Sequence, residues 1–285
     1  MRDLDLVGTG LLIYACIYFG GIAWMATWEG FARRRALVRP LRMRWLGNFG
    51  VTLIDTLAVR ALLPFLSVGA ASFAAARGIG LMNEASSPAA LAWLLAFLAL
   101  DGSRYAQHVA LHRVPFLWRL HRMHHTDGDY DFTTGLRFHP LESLLTTGFS
   151  LIVVLVLGLP VGAVSAYEIL FAAAALFAHG NVGLPARVDR CLRWVVITPD
   201  LHRVHHSALA RETHSNFASV SPWWDRAFGT YRAAPALGYE AMRVGLPEFT
   251  DPRHQALAWM LVNPWLGAGE GPALVSEAEA EGGTR

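Results

Sequence analysis

The chain has 285 residues, 54% of them hydrophobic and only 16% charged, and its mean hydropathy is +0.34. A soluble domain carries about a quarter charged residues, so a water-soluble globule is excluded and a bilayer protein is expected. The net charge of +2 comes with no basic stripe interleaved with aromatics, which excludes a nucleic-acid partner, and Cys16 and Cys191 make neither a disulfide framework nor a zinc motif.

In chain order, residues 6–28 form the clearest span: 23 residues without a charge, with Trp24 and Trp28 near one end. No basic leader or small-residue cleavage site accompanies it, so it reads as a retained helix. Residues 45–76 hold Asp55, Arg60 and Pro64, which predicts either one kinked span or an amphipathic, partly re-entrant segment. Asp55 and Arg60 are expected to pair, as charges at membrane depth do. Residues 89–100 are apolar but short, and make a full span only if the helix continues past Asp101 towards Gln107. Residues 144–159 and 161–178 form a hairpin broken at Gly158-Leu159-Pro160. Residues 267–285, rich in Gly, Ala and Glu, read as a solvated tail.

Arg33, Arg34, Arg35, Arg39, Arg42 and Arg44 crowd the loop after the first span, which places that loop in the cytoplasm, with attraction to anionic lipid as a by-product. Counting five spans from there brings every histidine box to the cytoplasmic side or its interface. The organisation expected is an N-terminal span and basic loop (1–45), a membrane domain (46–235, motif core 92–231) and a C-terminal segment with a flexible tail (236–285).

Eleven of the twelve histidines lie between His108 and His214, and eight of them form three boxes. These read His108-x-x-x-His112, His121-x-x-His124-His125 and His202-x-x-His205-His206. Positions i, i+3 and i+4 share one helix face, so each box aims its imidazoles one way, and imidazole is the commonest metal ligand. Pro115 separates the first two boxes, Thr126-Asp127-Gly128-Asp129 closes the second, and Thr198-Pro199-Asp200 opens a helix at the third. Eight histidines exceed what one metal takes but suit two. His179 is a plausible ninth ligand, and His139 is either a tenth or an outer partner that orients a ligand. His214 and His254 read as interfacial polar groups, and Trp223 and Trp224 as packing or a lipid entrance. The nitrogen-rich set suits Fe, Zn, Cu or Ni. No H-E-x-x-H motif points to hydrolytic zinc.

From His108 to Tyr231 the chain resembles the fatty acid hydroxylase/sterol desaturase superfamily of membrane di-iron oxygenases. Besides the boxes, the matching segments are Arg137-Phe138-His139-Pro140-Leu141-Glu142, His179-Gly180-Asn181, Asn216-Phe217-Ala218 and Trp224-Asp225-Arg226-Ala227-Phe228-Gly229-Thr230-Tyr231. The resemblance implies an all-α membrane protein, a four-helix transmembrane core plus here the N-terminal span, with a cytosolic helical cap holding a dimetal site. It also implies two iron ions, which zinc can replace in purified protein, and O2 as co-substrate. The implied reaction is hydroxylation or desaturation of a lipid such as a fatty acyl chain, sterol or hopanoid. Carried over by position, the ligands are His108, His112, His121, His124, His125, His179, His202, His205 and His206. Where some relatives have a further histidine pair, only His179 stands here, with Gly183 four residues on. The first hundred residues show spans and loops and no redox domain, so a separate electron donor of ferredoxin, cytochrome or reductase type is expected. The rival readings are a zinc-dependent membrane lipid amide hydrolase and a non-enzymatic metal transporter or haem carrier. The first leaves most boxes unused, and the second calls for ligands at the bilayer midplane or across spans.

Overall fold

A computed structural model describes the backbone of residues 2–84 and 88–267 and the side chains of 12–83 and 88–267. Among these residues there are helices, turns and two isolated β-bridges but no strand. The long helices are α1 (Arg2–Phe31), α2 (Leu41–Leu62) and α3 (Ser67–Arg77). After the short α4 (Leu81–Glu84) come α5 (Ala89–Arg113), α6 (Pro115–His125), α7 (Pro140–Leu157) and α8 (Val161–Ala178), then the short α9 (Ala186–Leu192) and α10 (Pro199–His205).

The breaks fall where proline and glycine dictate. α2 stops at Leu62 because Leu63 precedes Pro64 and is pushed to an extended conformation, φ −105° and ψ 129°. The expected kink in 45–76 is therefore a full break between α2 and α3. Gly158 closes α7 in the left-handed region at φ 63°, its N–H donating to Val154 O, and Pro160 starts α8. A Cβ at Gly158 would also stand 2.7 Å from Ile79 O, so the hairpin turn is packed against the end of α3.

α5 runs on through Asp101 to Arg113 as the span reading required, but it is not among the described segments apolar enough to cross a membrane. Asp101 is buried and accepts hydrogen bonds from Tyr167 OH (3.1 Å), Trp224 Nε1 (3.0 Å) and the Ser221 hydroxyl. Trp224 thus ties the stretch after α10 to the bundle, while Trp223 donates to Trp194 O and stays half exposed. The anticipated Asp55–Arg60 pair does not form. Five residues apart on one helix, the two side chains point about 140° from each other, and Asp55 lies beside Ser143 and Glu142.

α1 packs on α8, α2 on α7, and α3 and α5 on both α7 and α8. The core shared by α3, α5, α7 and α8 sets Ala70, Ala71, Ala96, Ala163 and Ala174, which let backbones approach closely, among larger side chains such as Leu100, Leu151 and Tyr167. The outward faces are apolar as well, with Leu53, Leu57, Ile152 and Val156 all more than half exposed. A helix hydrophobic on every side has lipid for a solvent. Among the described residues three segments, Leu41–Arg77, Pro140–Leu157 and Val161–Ala178, are long and apolar enough to cross a membrane. The tail expected over 267–285 lies, beyond Gly267, outside the described residues.

At one end of the bundle the chemistry reverses. Arg44, Arg137 and Arg203 are fully buried there. Arg44, read from sequence as part of a topology signal, is instead an internal clamp. Its Nε and Nη2 each donate to Asp127 at 2.8 Å and its Nη1 to Asp131 at 2.6 Å. Burial opposes the Asp127 charge, but the Arg44 guanidinium prevails and holds that carboxyl below its ordinary range. Arg137 donates to Met123 O, Thr126 Oγ1, Asn48 Oδ1 and Gln255 Oε1, tying the end of α6 to α2 and the C-terminal segment.

Candidate metal centre

Four elements converge at this end. The last two turns of α5 carry His108 and His112, and α6 carries His121, His124 and His125. His179 caps α8, and α10 with its C-cap supplies His202, His205 and His206. Pro115 starts α6 and Pro199 starts α10, each at a first-turn position where its missing N–H is harmless. Thr198 is the residue before α10, although its side chain makes no capping bond.

The nine histidines fall into two groups whose ligating atoms lie within 4.8 Å of one another. His108, His112, His121, His125 and His205 form one, and His124, His179, His202 and His206 the other. All are buried except the partly buried His108. The groups adjoin, with the His125 and His206 rings stacked at 4.6 Å and His202 and His205 at 5.1 Å.

The nitrogen geometry fits bound cations. Two imidazole nitrogens each about 2.1 Å from one ion, at angles of about 90–109°, lie roughly 3.0–3.4 Å apart. Nε2 of His121 is 3.2 Å from that of His108 and 3.3 Å from that of His125. In the other group the His124–His206, His124–His179 and His179–His202 separations are 3.1, 3.2 and 3.1 Å.

Tautomers sharpen the point. His108 Nδ1–H donates to Phe217 O and His121 Nδ1–H to Glu142 Oε1, both at 2.7 Å. Neutral rings so fixed present only lone pairs at Nε2, and these two lone pairs face each other. Protonating a ring to relieve the clash is opposed by burial, which penalises a charged imidazole. Burial likewise lowers His179 to about 4, although its Nδ1–H donates to Ala175 O. His205 Nδ1–H donates to Ser215 O at 2.7 Å, while its buried Nε2 and both nitrogens of His112 have no hydrogen-bond partner. Each group has the donor set and spacing that could hold a metal ion, which would answer these facing and orphaned lone pairs.

Glu142, Asn216 and Asp225 escaped the sequence reading as site residues. Glu142 orients His121. Asn216 takes the left-handed conformation, φ 52°, and donates from Nδ2 to Leu201 O and Arg232 O. Its neighbours Ser215 and Phe217 are the two residues whose carbonyls hold His205 and His108. Asp225 accepts from the Phe217 and Ala218 N–H groups, fixing the same strip of backbone. The only signal for these roles was that all three lie in the segments that carried the family resemblance.

His139 stands apart from both groups. It caps α7, its Nδ1 accepting from Leu141 N and its Nε2–H donating to Leu261 O at 3.1 Å. His214 is half-buried, with its ring 5.7 Å from that of His112, and His254 packs on Phe249 and Trp259.

With this geometry in view, residues 93–230 match the family model described as Fatty acid hydroxylase. The chain is 31% identical over 144 residues to alkylglycerol monooxygenase of Xenopus tropicalis, covering 49% of this chain and 30% of that protein. It is 29% identical over 154 residues to ornithine lipid hydroxylase OlsE of Rhizobium tropici, covering 52% and 44%. The human alkylglycerol monooxygenase is 30% identical over 145 residues, covering 50% and 31%. The chain thus spans less than half the length of these curated relatives. No solved structure matches it significantly.

Proposed function

We propose that this chain, whose segment 93–230 belongs to the fatty acid hydroxylase family, is a multi-pass membrane oxidoreductase that hydroxylates a lipid with O2. His108, His112, His121, His125 and His205 hold one iron and His124, His179, His202 and His206 the other. The observation that carries the reading is the facing of imidazole lone pairs at 3.1–3.3 Å in two adjoining buried groups. A lone hydrolytic zinc would use three ligands and leave the rest of these nitrogens unpaired. Relatives named alkylglycerol monooxygenase and ornithine lipid hydroxylase favour hydroxylation over desaturation.

When bound, the pair of ions supplies the redox chemistry that inserts one atom of O2 into a C–H bond and reduces the other to water. The chain's own residues do the rest. Phe217, Ser215 and Ala175 carbonyls and Glu142 keep the ligand rings in one tautomer and orientation. Burial keeps the imidazoles neutral and excludes water from the centre. Helices α1, α2, α5, α7 and α8 act as five spans that bring the site to the cytoplasmic face. Electrons come from a separate donor.

The test is lipid mass spectrometry of membranes with and without the gene, joined to metal analysis of the purified protein. The expected result is a lipid heavier by one oxygen, formed only with O2, and about two metal ions per chain. A single zinc with O2-independent release of a fatty acid would replace this reading with the amidase.

A further inference from the structure

A cavity of about 320 Å³ opens between the loop joining α1 to α2 and the segment around residues 241–250. Four arginines line it, Arg35, Arg39, Arg203 and Arg243, against one carboxylate, Asp129. That carboxylate is already engaged, accepting from the backbone N–H groups of Val38 (3.0 Å) and Arg39 (2.7 Å). The positive charges are less fully matched. Arg203 is fully buried, stacked over the Tyr130 ring at 5.1 Å; its Nη2 donates to Gly180 O at 3.2 Å and it pairs with Asp200 at 3.4 Å, while its Nε has no hydrogen-bond partner. Arg39 is tied to Thr250 O and Arg35 only loosely to Glu240 O at 3.5 Å. Arg243 is exposed and, among the described residues, its side chain forms neither a hydrogen bond nor an ion pair.

A concave site with four guanidinium groups and one occupied acid is built for a dianionic or monoanionic oxyanion, because the planar fork matches phosphate oxygens two at a time. Its surroundings say where that phosphate comes from. One wall is the loop that leads straight into the candidate span Leu41–Arg77. Val38, in that wall, is 87% exposed, and Phe31, at the end of α1, is 90% exposed. The opposite wall sets Arg243 beside the buried apolar side chains Met242, Leu246 and Phe249. Bare apolar side chains interleaved with arginines at a span end are the signature of an anionic membrane interface.

We propose that this cavity binds the phosphate of an anionic phospholipid headgroup, with Arg35, Arg203 and Arg243 as its donors and the apolar side chains of the opposite wall against the glycerol end. The proposal stands independently of the metal chemistry. Tyr130 nonetheless links the two, since its ring meets that of His206 at 5.1 Å, so a bound headgroup sits one side chain from the four-histidine group.

The test is titration calorimetry on the full chain in neutral detergent. The lipid arm uses dihexanoyl phosphatidylglycerol and the soluble arm sodium phosphate. Saturable lipid binding is expected, weakened about tenfold in Arg243→Ala and in Arg35→Ala, the loss of one charge-assisted contact. Arg187→Ala, on exposed α9 away from the cavity, removes the same charge and should bind as the parent does. Unchanged unfolding temperature and metal content in the variants certify the fold. Equal binding by all variants, or equal weakening by Arg187→Ala, overturns the site. Phosphate binding as tight as the lipid's overturns its assignment to a headgroup.

Discussion

The two histidine groups differ in what holds their rings before any ion is present. In the five-histidine group three rings are fixed from outside through Nδ1, His108 by Phe217 O, His121 by Glu142 and His205 by Ser215 O. In the four-histidine group only His179 is held this way, by Ala175 O; each group also has two Nδ1 atoms without a partner, those of His112 and His125 in the first and of His124 and His202 in the second. Aromatic rings pack on both groups, Trp118 and Phe217 on the first and Phe138 and Tyr130 on the second, where they are the main constraint. His124 stacks on Phe138 at 4.8 Å, and Tyr130 lies against His179 and His206 at 5.9 and 5.1 Å. Hydrogen bonds to the outer nitrogen fix the tautomer and raise ligand basicity, whereas ring stacking fixes neither. The five-histidine group is therefore the more preorganised of the two before any ion binds.

Removing a ligand from each group tests this most severely. His124→Ala leaves three histidines in its group, and His205→Ala leaves four in the other. Both variants should insert into membranes normally and turn over at less than about 1% of the parent rate, since both ions act together in the proposed reaction. Their metal contents should differ, with His124→Ala retaining about one ion per chain and His205→Ala nearly two. Equal losses in elemental analysis would erase the contrast between the groups.

Glu142→Gln attacks the anchoring itself. It preserves size and a hydrogen-bond acceptor but removes the charge beside His121 Nδ1. Loss of such a partner typically weakens metal binding about 10–100-fold. Chelator titration of the parent should release the ion of the four-histidine group first. In Glu142→Gln the two release steps should merge as the tighter one weakens. Two steps unchanged from the parent would mean that Glu142 does not buttress the five-histidine group.

A smaller effect is expected at Asn216, whose side chain and left-handed backbone set the carbonyls on both sides of it. Asn216→Gly keeps the conformation available and loses only the hydrogen bonds, costing about 1–2 kcal/mol. Asn216→Ala adds the strain of a positive φ, roughly another 1 kcal/mol. Thermal unfolding of the metal-loaded protein would read both. An Ala variant no worse than Gly would show that the backbone there is not strained.

The legible part of this molecule is the part written in periodicity and residue type. Helix-face spacing brought His121, His124 and His125 together, and Pro115, Gly158-Leu159-Pro160 and the loop after His125 marked breaks that the structure has. What stayed hidden depends on contacts between residues far apart in the chain. Arg44 looks like one of six loop arginines until Asp127 and Asp131 arrive from more than eighty positions away. Glu142 and Asn216 were visible only as members of a matching segment, because nothing local says which histidine a carboxylate or carbonyl will meet. The Asp55–Arg60 pairing failed for the converse reason, proximity in sequence without a shared helix face.

His139 is the residue on which the sequence left two readings open, and it gives the mildest prediction. Its two ring nitrogens already have partners, Leu141 N and Leu261 O, and neither belongs to a histidine group. A ring so engaged caps α7 and pins the C-terminal segment, and its removal should act on stability alone. His139→Ala is expected to lose about 1 kcal/mol, the usual cost of a missing helix cap, while keeping two ions per chain and the parent's chelator profile. His139→Asn, which restores a capping acceptor, should recover most of that stability. A drop in metal content that His139→Asn fails to rescue would move His139 into the ligand set and enlarge one group to include it.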